Sequence, residues 1–366
     1  MQKKKRKFRV FFLILYFGIV FIYLLTCLIP FLNPAKFWFI AILGLGFPFL
    51  LLLMLICLLI CALLRSKWTF LSLALLLLSW QQISALFALN FKKEFQADKN
   101  EESLRVLSWN VSSWTENLGA ADKVEAAGLR NLMMDAVQMQ NADVLCFQEF
   151  LESYAAEIFP ANIPVLQKMG YNYFYFTPAI KMMNGGLQGG LCVFSKYPII
   201  DTSFYRPDNG NSEGFSIVDI NFKEKIIRIY NTHLESPRLR KQEYGALGEV
   251  QESRGIAGKI KRAYSLRSLQ AERLRKSIDS SKYPVILCGD FNDVPNSYSY
   301  FTVKNNLQDA FLKKGFGLGR TFQFISPTLR IDYMMVDKRF NIEQFSKPDY
   351  KYSDHYLQVM DVTIRK

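Results

Sequence analysis

Histidine is nearly missing from this 366-residue chain: there are two, His233 and His355. Acidic residues are nearly missing from its front, where residues 1–97 hold 11 Lys/Arg and a single acid, Glu94. That segment carries +10 of the formal +13, and the rest of the chain, with 34 Lys/Arg against 31 Asp/Glu, carries only +3. The basic surplus therefore flanks an apolar region and does not mark a nucleic-acid-binding surface. Six cysteines are too few for a stapled scaffold, and no spacing suggests zinc. Cys27, Cys57 and Cys61 fall in uncharged apolar runs, and Cys146, Cys192 and Cys288 fall in VLCF, GLCVF and VILC, where buried structural thiols are expected. Internal repeats of 20–50 residues and low-complexity tracts are missing too. With half the residues apolar and 21% charged, a disordered or collagen-like chain is excluded.

What is present begins with three long uncharged runs, expected as transmembrane helices at about 10–30, 37–64 and 68–90. Roughly 20 apolar residues at about 1.5 Å each cross the hydrocarbon core. The first run is too long for a cleaved signal peptide, no small-x-small site follows it, and two more runs come after. Lys3, Lys4, Lys5, Arg6, Lys7 and Arg9 place the N-terminus inside, so three crossings deliver the rest to the non-cytoplasmic side; Lys92 and Lys93 count mildly against this. The expectation is a multi-pass integral protein of a cell or inner membrane: residues 1–90 in the lipid bilayer, a polar linker at 91–103, and a domain over 104–366.

In that domain, short β-rich runs alternate with turns: 104–109, 142–148, 190–195, 215–222, 226–233, 284–290, 331–336 and 357–364. Helical periodicity appears at 124–140, through Leu129, Leu132, Met133, Ala136 and Val137, and at 264–280, through Leu266, Leu269, Leu274 and Ile278. The interleaving predicts an α/β or α+β domain with a mixed sheet. Gly185-Gly186 and Gly189-Gly190 read as a hairpin turn before they read as a phosphate cradle. Arg238, Arg240, Lys241, Arg254, Lys259, Lys261 and Arg262, between 235 and 263, read as a solvated face; an insertion that favours anionic phosphates or lipid headgroups is the functional alternative. Residues 204–211 read as a loop without chemistry.

Chemistry collects at the strand ends. LRVLSW runs into Asn110, ADVLCFQ into Glu149, IIRIYNT into His233, and PVILCG into Asp290-Phe291-Asn292. IDYMMV opens on Asp332, and Ser353-Asp354-His355 precede the last strand. A side chain there reaches solvent while its backbone stays fixed. Carboxylates and carboxamides dominate, and such hard oxygen donors suit Mg²⁺, with Mn²⁺ or Ca²⁺ as alternatives, over Zn²⁺.

The ordered set N…QE…THL…GDFN…DY…SDH resembles the endonuclease/exonuclease/phosphatase superfamily, also called deoxyribonuclease I-like, over residues 104–366. GDFN after an apolar strand is its most specific part. The resemblance implies a two-sheet, four-layer α/β/β/α sandwich behind the transmembrane region. It implies a divalent-metal-dependent hydrolase that cleaves a phosphodiester or phosphomonoester by in-line attack of an activated water. Glu149 then binds the metal, with Asn110 and Asp354 beside it. Asp290 orients or deprotonates the water, Asn292 holds the phosphate, and His355, oriented by Asp332, donates to a phosphoryl oxygen. His233 protonates the leaving oxygen, a feature of the deoxyribonuclease, sphingomyelinase and inositol-phosphatase branches; Glu213 is a candidate to orient it. The partners implied are a phosphoester substrate and the bilayer, with no protein partner. Three readings stand at this level: an extracytoplasmic nuclease, a sphingomyelinase- or phosphoinositide-type lipid phosphoesterase, and an inactive binding module.

Overall fold

A computed structural model describes residues 2–91, 94–115, 123–155, 159–207, 214–238, 250–324 and 326–365. The chain forms two compact units: residues 1–87 with 237–268 and 294–302, and residues 88–236 with 269–293 and 303–366.

The first unit is built on α1 (Gln2–Leu28), α2 (Pro34–Ala41), α3 (Phe47–Leu63), α4 (Trp68–Leu78) and α5 (Trp80–Leu86). Val10–Phe31 and Pro34–Leu63 are each long and apolar enough to cross a membrane; α4 and α5 add a third candidate only as a pair bent by 61°. Unlike a water-soluble bundle, this one is apolar on its outside as well as in its interior. Phe11, Ile14, Leu63 and Phe70 face outward, while hydroxyls and an amide turn inward. Tyr16 Oη meets Ser72 Oγ at 2.9 Å, Tyr23 Oη meets Ser79 Oγ at 2.6 Å, and Gln82 Nε2 donates to Cys27 O at 3.0 Å. Hydrogen bonds of this kind between helices are compatible with a membrane-embedded segment. At Gly44, in the break between α2 and α3, a Cβ would lie 3.0 Å from the carbonyl oxygen of Asn296, a close backbone approach that favours glycine.

The second unit holds two six-stranded mixed sheets. One has the order Gln308–Asp309 (β10), Asp332–Val336 (β12), Val285–Asp290 (β9), Lys225–His233 (β8), Gly214–Phe222 (β7), Ile199–Tyr205 (β6). The other has the order Phe340–Ser346 (β13), Gln358–Ile364 (β14), Leu104–Asn110 (β2), Val144–Ser153 (β3), Leu187–Ser195 (β5), Tyr173–Met182 (β4). Each sheet has one parallel pair, β2–β3 and β8–β9, and antiparallel neighbours elsewhere. A parallel pair needs a long crossover. The two helical patterns supply it: α6 (Lys123–Met139) joins β2 to β3, and the helix Val250–Asp279 joins β8 to β9. That second helix begins fourteen residues before the expected 264, so its first half takes up part of the basic stretch; residues 239–249 lie outside the described residues.

Strand side chains alternate between two faces. Val106, Cys146, Ile229, Ile286, Met334 and Met360 fill the space between the sheets. Leu107, Phe147, Met133 and Val137 pack one sheet against α6. On the other outer face Ala271, Leu274 and Ile278 are buried, and Tyr230 Oη meets Ser277 Oγ at 3.1 Å. The result is the four-layer α/β/β/α sandwich, preceded along the chain by an apolar helical region. Between β4 and β5 the residues Met183–Gly185 make the hairpin turn, and Gly189 and Gly190 are strand residues. The stretch expected as a linker is hydrogen-bonded to the second unit: Gln96 exchanges bonds with the Gln344 side chain, and Arg105 donates to the carbonyls of Gln96 and Ala97.

Candidate active site

The rows of side chains that fill the space between the sheets are apolar in the middle and polar at one end. Along β2 the row reads Leu104, Val106, Ser108, Asn110; along β8 it reads Ile227, Ile229, Asn231, His233. Along β9 it ends on Asp290, and β12 begins its row on Asp332. Strand register then does the assembly, because His233 pairs with Asp290 and Asp290 pairs with Asp332 across three neighbouring strands. Residues separated by more than forty positions become direct neighbours.

From the facing sheet, Asn110 Nδ2 donates to Glu149 Oε1 at 3.1 Å and to Asp290 Oδ2 at 3.2 Å, while its Oδ1 accepts the Ser112 N–H at 3.0 Å. His233 Nε2 lies 3.7 Å from Asp290 and 3.9 Å from Glu149. His355 Nε2 lies 3.7 Å from the same Asp290 oxygen, and its Nδ1 is held by Asp332 at 2.9 Å. Phe322 bridges to the His355 backbone and packs its ring edge-on to the imidazole, and the Trp109 indole donates to the His355 carbonyl at 2.9 Å. Asn292 closes the turn after β9, its N–H donating to Asp290 Oδ1 at 2.7 Å and its amide to Leu234 O at 3.0 Å. Asp354 accepts the Ser353 hydroxyl at 3.3 Å and adds its charge beside His355. Glu213 lies outside the described residues.

Two backbone features set this geometry. Glu149 has φ of 50° at a bulge where the β3–β5 register jumps between Phe147 and Phe150, which re-aims its side chain toward solvent. Gly289 has φ of 136°, and a Cβ there would strike the Thr232 carbonyl, so the glycine of GDFN is what lets β9 lie against β8 just before Asp290.

Burial raises the Asp290 carboxyl to about 6, and the Asp332 carboxylate opposite adds to the rise against both imidazoles and the Asn292 N–H. Burial alone would lower His355, but the Asp332 and Asp290 carboxylates outweigh it and hold the imidazole well above its usual range. The site thus pairs a carboxylate with raised proton affinity and an imidazolium stable at neutral pH.

Gln148 and Asn231 are the residues that pattern reading missed. Gln148 Nε2 donates to Asn231 Oδ1 at 2.7 Å, and Asn231 Nδ2 donates to the carbonyls of Phe147 and Cys192, tying the two sheets together directly beneath Glu149 and His233. The available signal was a carboxamide in an otherwise apolar row, the Q of QE in one strand and the residue before TH in the other.

Asp290, Asp332 and His355 bring their oxygen and nitrogen atoms within 4.8 Å of one another, a spacing that could hold a cation. The Asp332–His355 hydrogen bond already engages two of the three groups, however, so this trio is better described as an acid–imidazole–acid chain. Glu149 is different: its carboxylate is 40% exposed and steadied by the Asn110 amide, an open oxygen donor suited to a hard divalent ion.

A two-sheet sandwich with this set of side chains at one mouth defines a class, and comparison with known proteins agrees. The endonuclease/exonuclease/phosphatase family model matches residues 107–355, and the chain belongs to that family, whose members hydrolyse phosphoester bonds. Residues 9–86 match a domain of unknown function. Among solved structures, the chain is similar to an endonuclease/exonuclease/phosphatase from Beutenbergia cavernae (18% identity, 72% of each chain, TM-score 0.50). It is also similar to the human Nocturnin catalytic domain with bound sulfate (19% identity, 73% of this chain and 96% of that one, TM-score 0.51). These likenesses are ones of fold. Curated relatives include a sphingomyelinase of Dictyostelium discoideum, 23% identical over 61% of this chain and 50% of its own length. Human protein angel homolog 2 is 30% identical over 45% of this chain and 28% of its own length. The chain thus spans half or less of these two relatives.

Proposed function

We propose that the chain is a membrane-anchored, divalent-metal-dependent phosphodiesterase acting on lipid headgroups, its catalytic domain on the non-cytoplasmic side. The observation that carries the reading is the row His233–Asp290–Asp332, closed from the other sheet by Glu149 and Asn110 and capped by His355.

In this reading Asp290, with its raised proton affinity, takes the proton of the attacking water. The new P–O bond forms as the P–O bond to the alcohol breaks, and His233 delivers its proton to the departing alkoxide. His355, kept cationic and fixed in orientation by Asp332, donates to a non-bridging oxygen, and the Asn292 backbone N–H keeps Asp290 turned into the site. Glu149 would hold a divalent ion, most simply Mg²⁺, which when bound neutralises charge on the phosphoryl oxygens.

Two observations favour a lipid phosphoester over nucleic acid. The domain has little net positive charge, and the sphingomyelinase relative aligns over more of this chain than the angel homologue does. The test is turnover by the full chain in detergent against sphingomyelin, phosphatidylinositol phosphates, single- and double-stranded DNA, RNA and an aryl phosphodiester. Cleavage of a lipid diester that chelation abolishes and Mg²⁺ restores is the expected result. Cleavage of nucleic acid alone would replace the substrate class, and full activity in chelator or in Asp290→Asn would overturn the mechanism.

A further inference from the structure

The second unit contains a cavity of about 810 Å³ that none of the proposed catalytic residues lines. Lys314, Arg320 and Lys347 line it together with Phe95, Phe311 and Phe345; Glu94 is the only acid among its lining residues. A second recess of about 470 Å³ shares Glu94, Lys314 and Phe345 and adds Lys313, Asn90, Phe91 and Glu343. Among the described residues, neither Lys314 nor Lys347 has a carboxylate within ion-pair distance. Lys347 instead sits 3.7 Å over the Tyr356 ring, and burial, with Arg320 adding to it against Asp349, lowers the proton affinity of its ammonium. A partly buried cation of this kind is stabilised by an anion brought to it.

The rim of this basic cavity is apolar and exposed: Leu89 is 77% exposed, Phe91 92% and Phe316 57%. Their position is fixed. Ala88–Leu89 (β1) pairs with Phe316–Gly317 (β11), and the Asn90 amide donates to the carbonyls of Leu312 and Gly315 at 3.0 Å. Phe87 is the one residue between the end of α5 and β1, so Leu89 lies three residues, at most about 11 Å of chain, from the last apolar helix. Exposed aromatic and aliphatic side chains around basic ones, at the exit of a membrane segment, match the interfacial layer of a bilayer in both polarity and charge.

We propose that this cavity binds the phosphate-bearing headgroup of an anionic phospholipid in the bilayer that the preceding helices enter, with Leu89, Phe91 and Phe316 in the headgroup layer. This rests on the reading of those helices as membrane spans. It assigns a non-catalytic lipid site distinct from the phosphoesterase centre.

The test uses the full chain in nanodiscs of phosphatidylcholine, with or without phosphatidylserine, and reads amide hydrogen exchange in residues 314–320 and 345–347. Slower exchange in the phosphatidylserine discs is expected. Lys314→Gln, an exposed position, should remove roughly fivefold of that protection, and Lys347→Gln a similar factor, corresponding to about 1 kcal/mol for each basic residue at an anionic surface. Equal exchange in the two discs would overturn the site. So would inorganic phosphate reproducing the whole effect in phosphatidylcholine discs, since a free anion would then be the ligand. A chain released from vesicles by alkaline carbonate would instead overturn the membrane reading itself, which separates the two failures.

Discussion

Glu149 pays for its position with strain: a non-glycine residue at φ of 50° within a strand costs about 1–3 kcal/mol. Asparagine tolerates that conformation better and is too short to place a carboxylate at the same point. Glu149→Asn is therefore expected to unfold at an equal or higher temperature while turnover falls by on the order of 10²-fold or more, a loss of transition-state stabilisation without loss of fold. Calorimetry and initial rates on one preparation check both halves. Glu152, buried three residues on, separates structure from catalysis. Burial lifts its carboxyl above the ordinary 4.5 against the N–H groups of Ile163 and Asn162 that it accepts. The folded state therefore holds this proton more firmly than the unfolded one, a contribution complete below about 4.5 and lost as pH rises through the folded value. In Glu152→Gln that term vanishes. The unfolding midpoint of the wild type relative to the variant is expected to rise as pH falls from 7 toward 4.5, and a difference flat in pH would contradict the assignment.

The elements legible in the sequence were those buried on both faces or periodic over several turns. All eight expected strands formed, and both helical patterns became the crossovers of the parallel pairs. Among the described strands longer than two residues, three went unread, Tyr173–Met182, Ile199–Tyr205 and Phe340–Ser346, and each lies at the edge of a sheet. An edge strand is wet on one side and tolerates Pro178 or a bulge between Ile342 and Gln344, which breaks the alternation that pattern reading needs. Side-chain ties between distant elements were equally hidden. Arg105 on β2 makes a bidentate pair with Asp361 on β14, both essentially buried, and its remaining donors hold the carbonyls of Gln96, Ala97 and Gln140. Arg105→Leu leaves Asp361 charged and buried with little but the Gln344 amide as a donor, which costs about 3–5 kcal/mol. The variant is expected to show that loss in thermal unfolding together with faster proteolysis within 94–103, the segment that Arg105 fastens; wild-type cleavage rates there would show that the fastening lies elsewhere.

At the scale of the whole molecule, the side of the membrane on which the phosphoesterase works is a matter of parity. The six basic residues before Val10 favour a cytoplasmic N-terminus. Two crossings would return the chain to that side, and three carry it across. Val10–Phe31 and Pro34–Leu63 reach at least about 30 Å, enough for the hydrocarbon core. The third run was expected to be a transmembrane helix over about 68–90, but it bends by 61° after Leu78, so α4 and α5 together advance only about 22 Å. That shortfall makes the bent pair the element on which topology depends, and the inward hydrogen bonds of Ser72, Ser79 and Gln82 to α1 are what would hold it at membrane depth. A reporter fused after Lys366 is expected to read as non-cytoplasmic. Replacing Ser79 and Gln82 with leucine, which removes two of those inward hydrogen bonds and lengthens the uninterrupted apolar run, should leave that reading unchanged. A cytoplasmic signal from the unaltered chain that turns non-cytoplasmic in the leucine variant would identify the bent pair as a re-entrant hairpin and put the active site on the inner face.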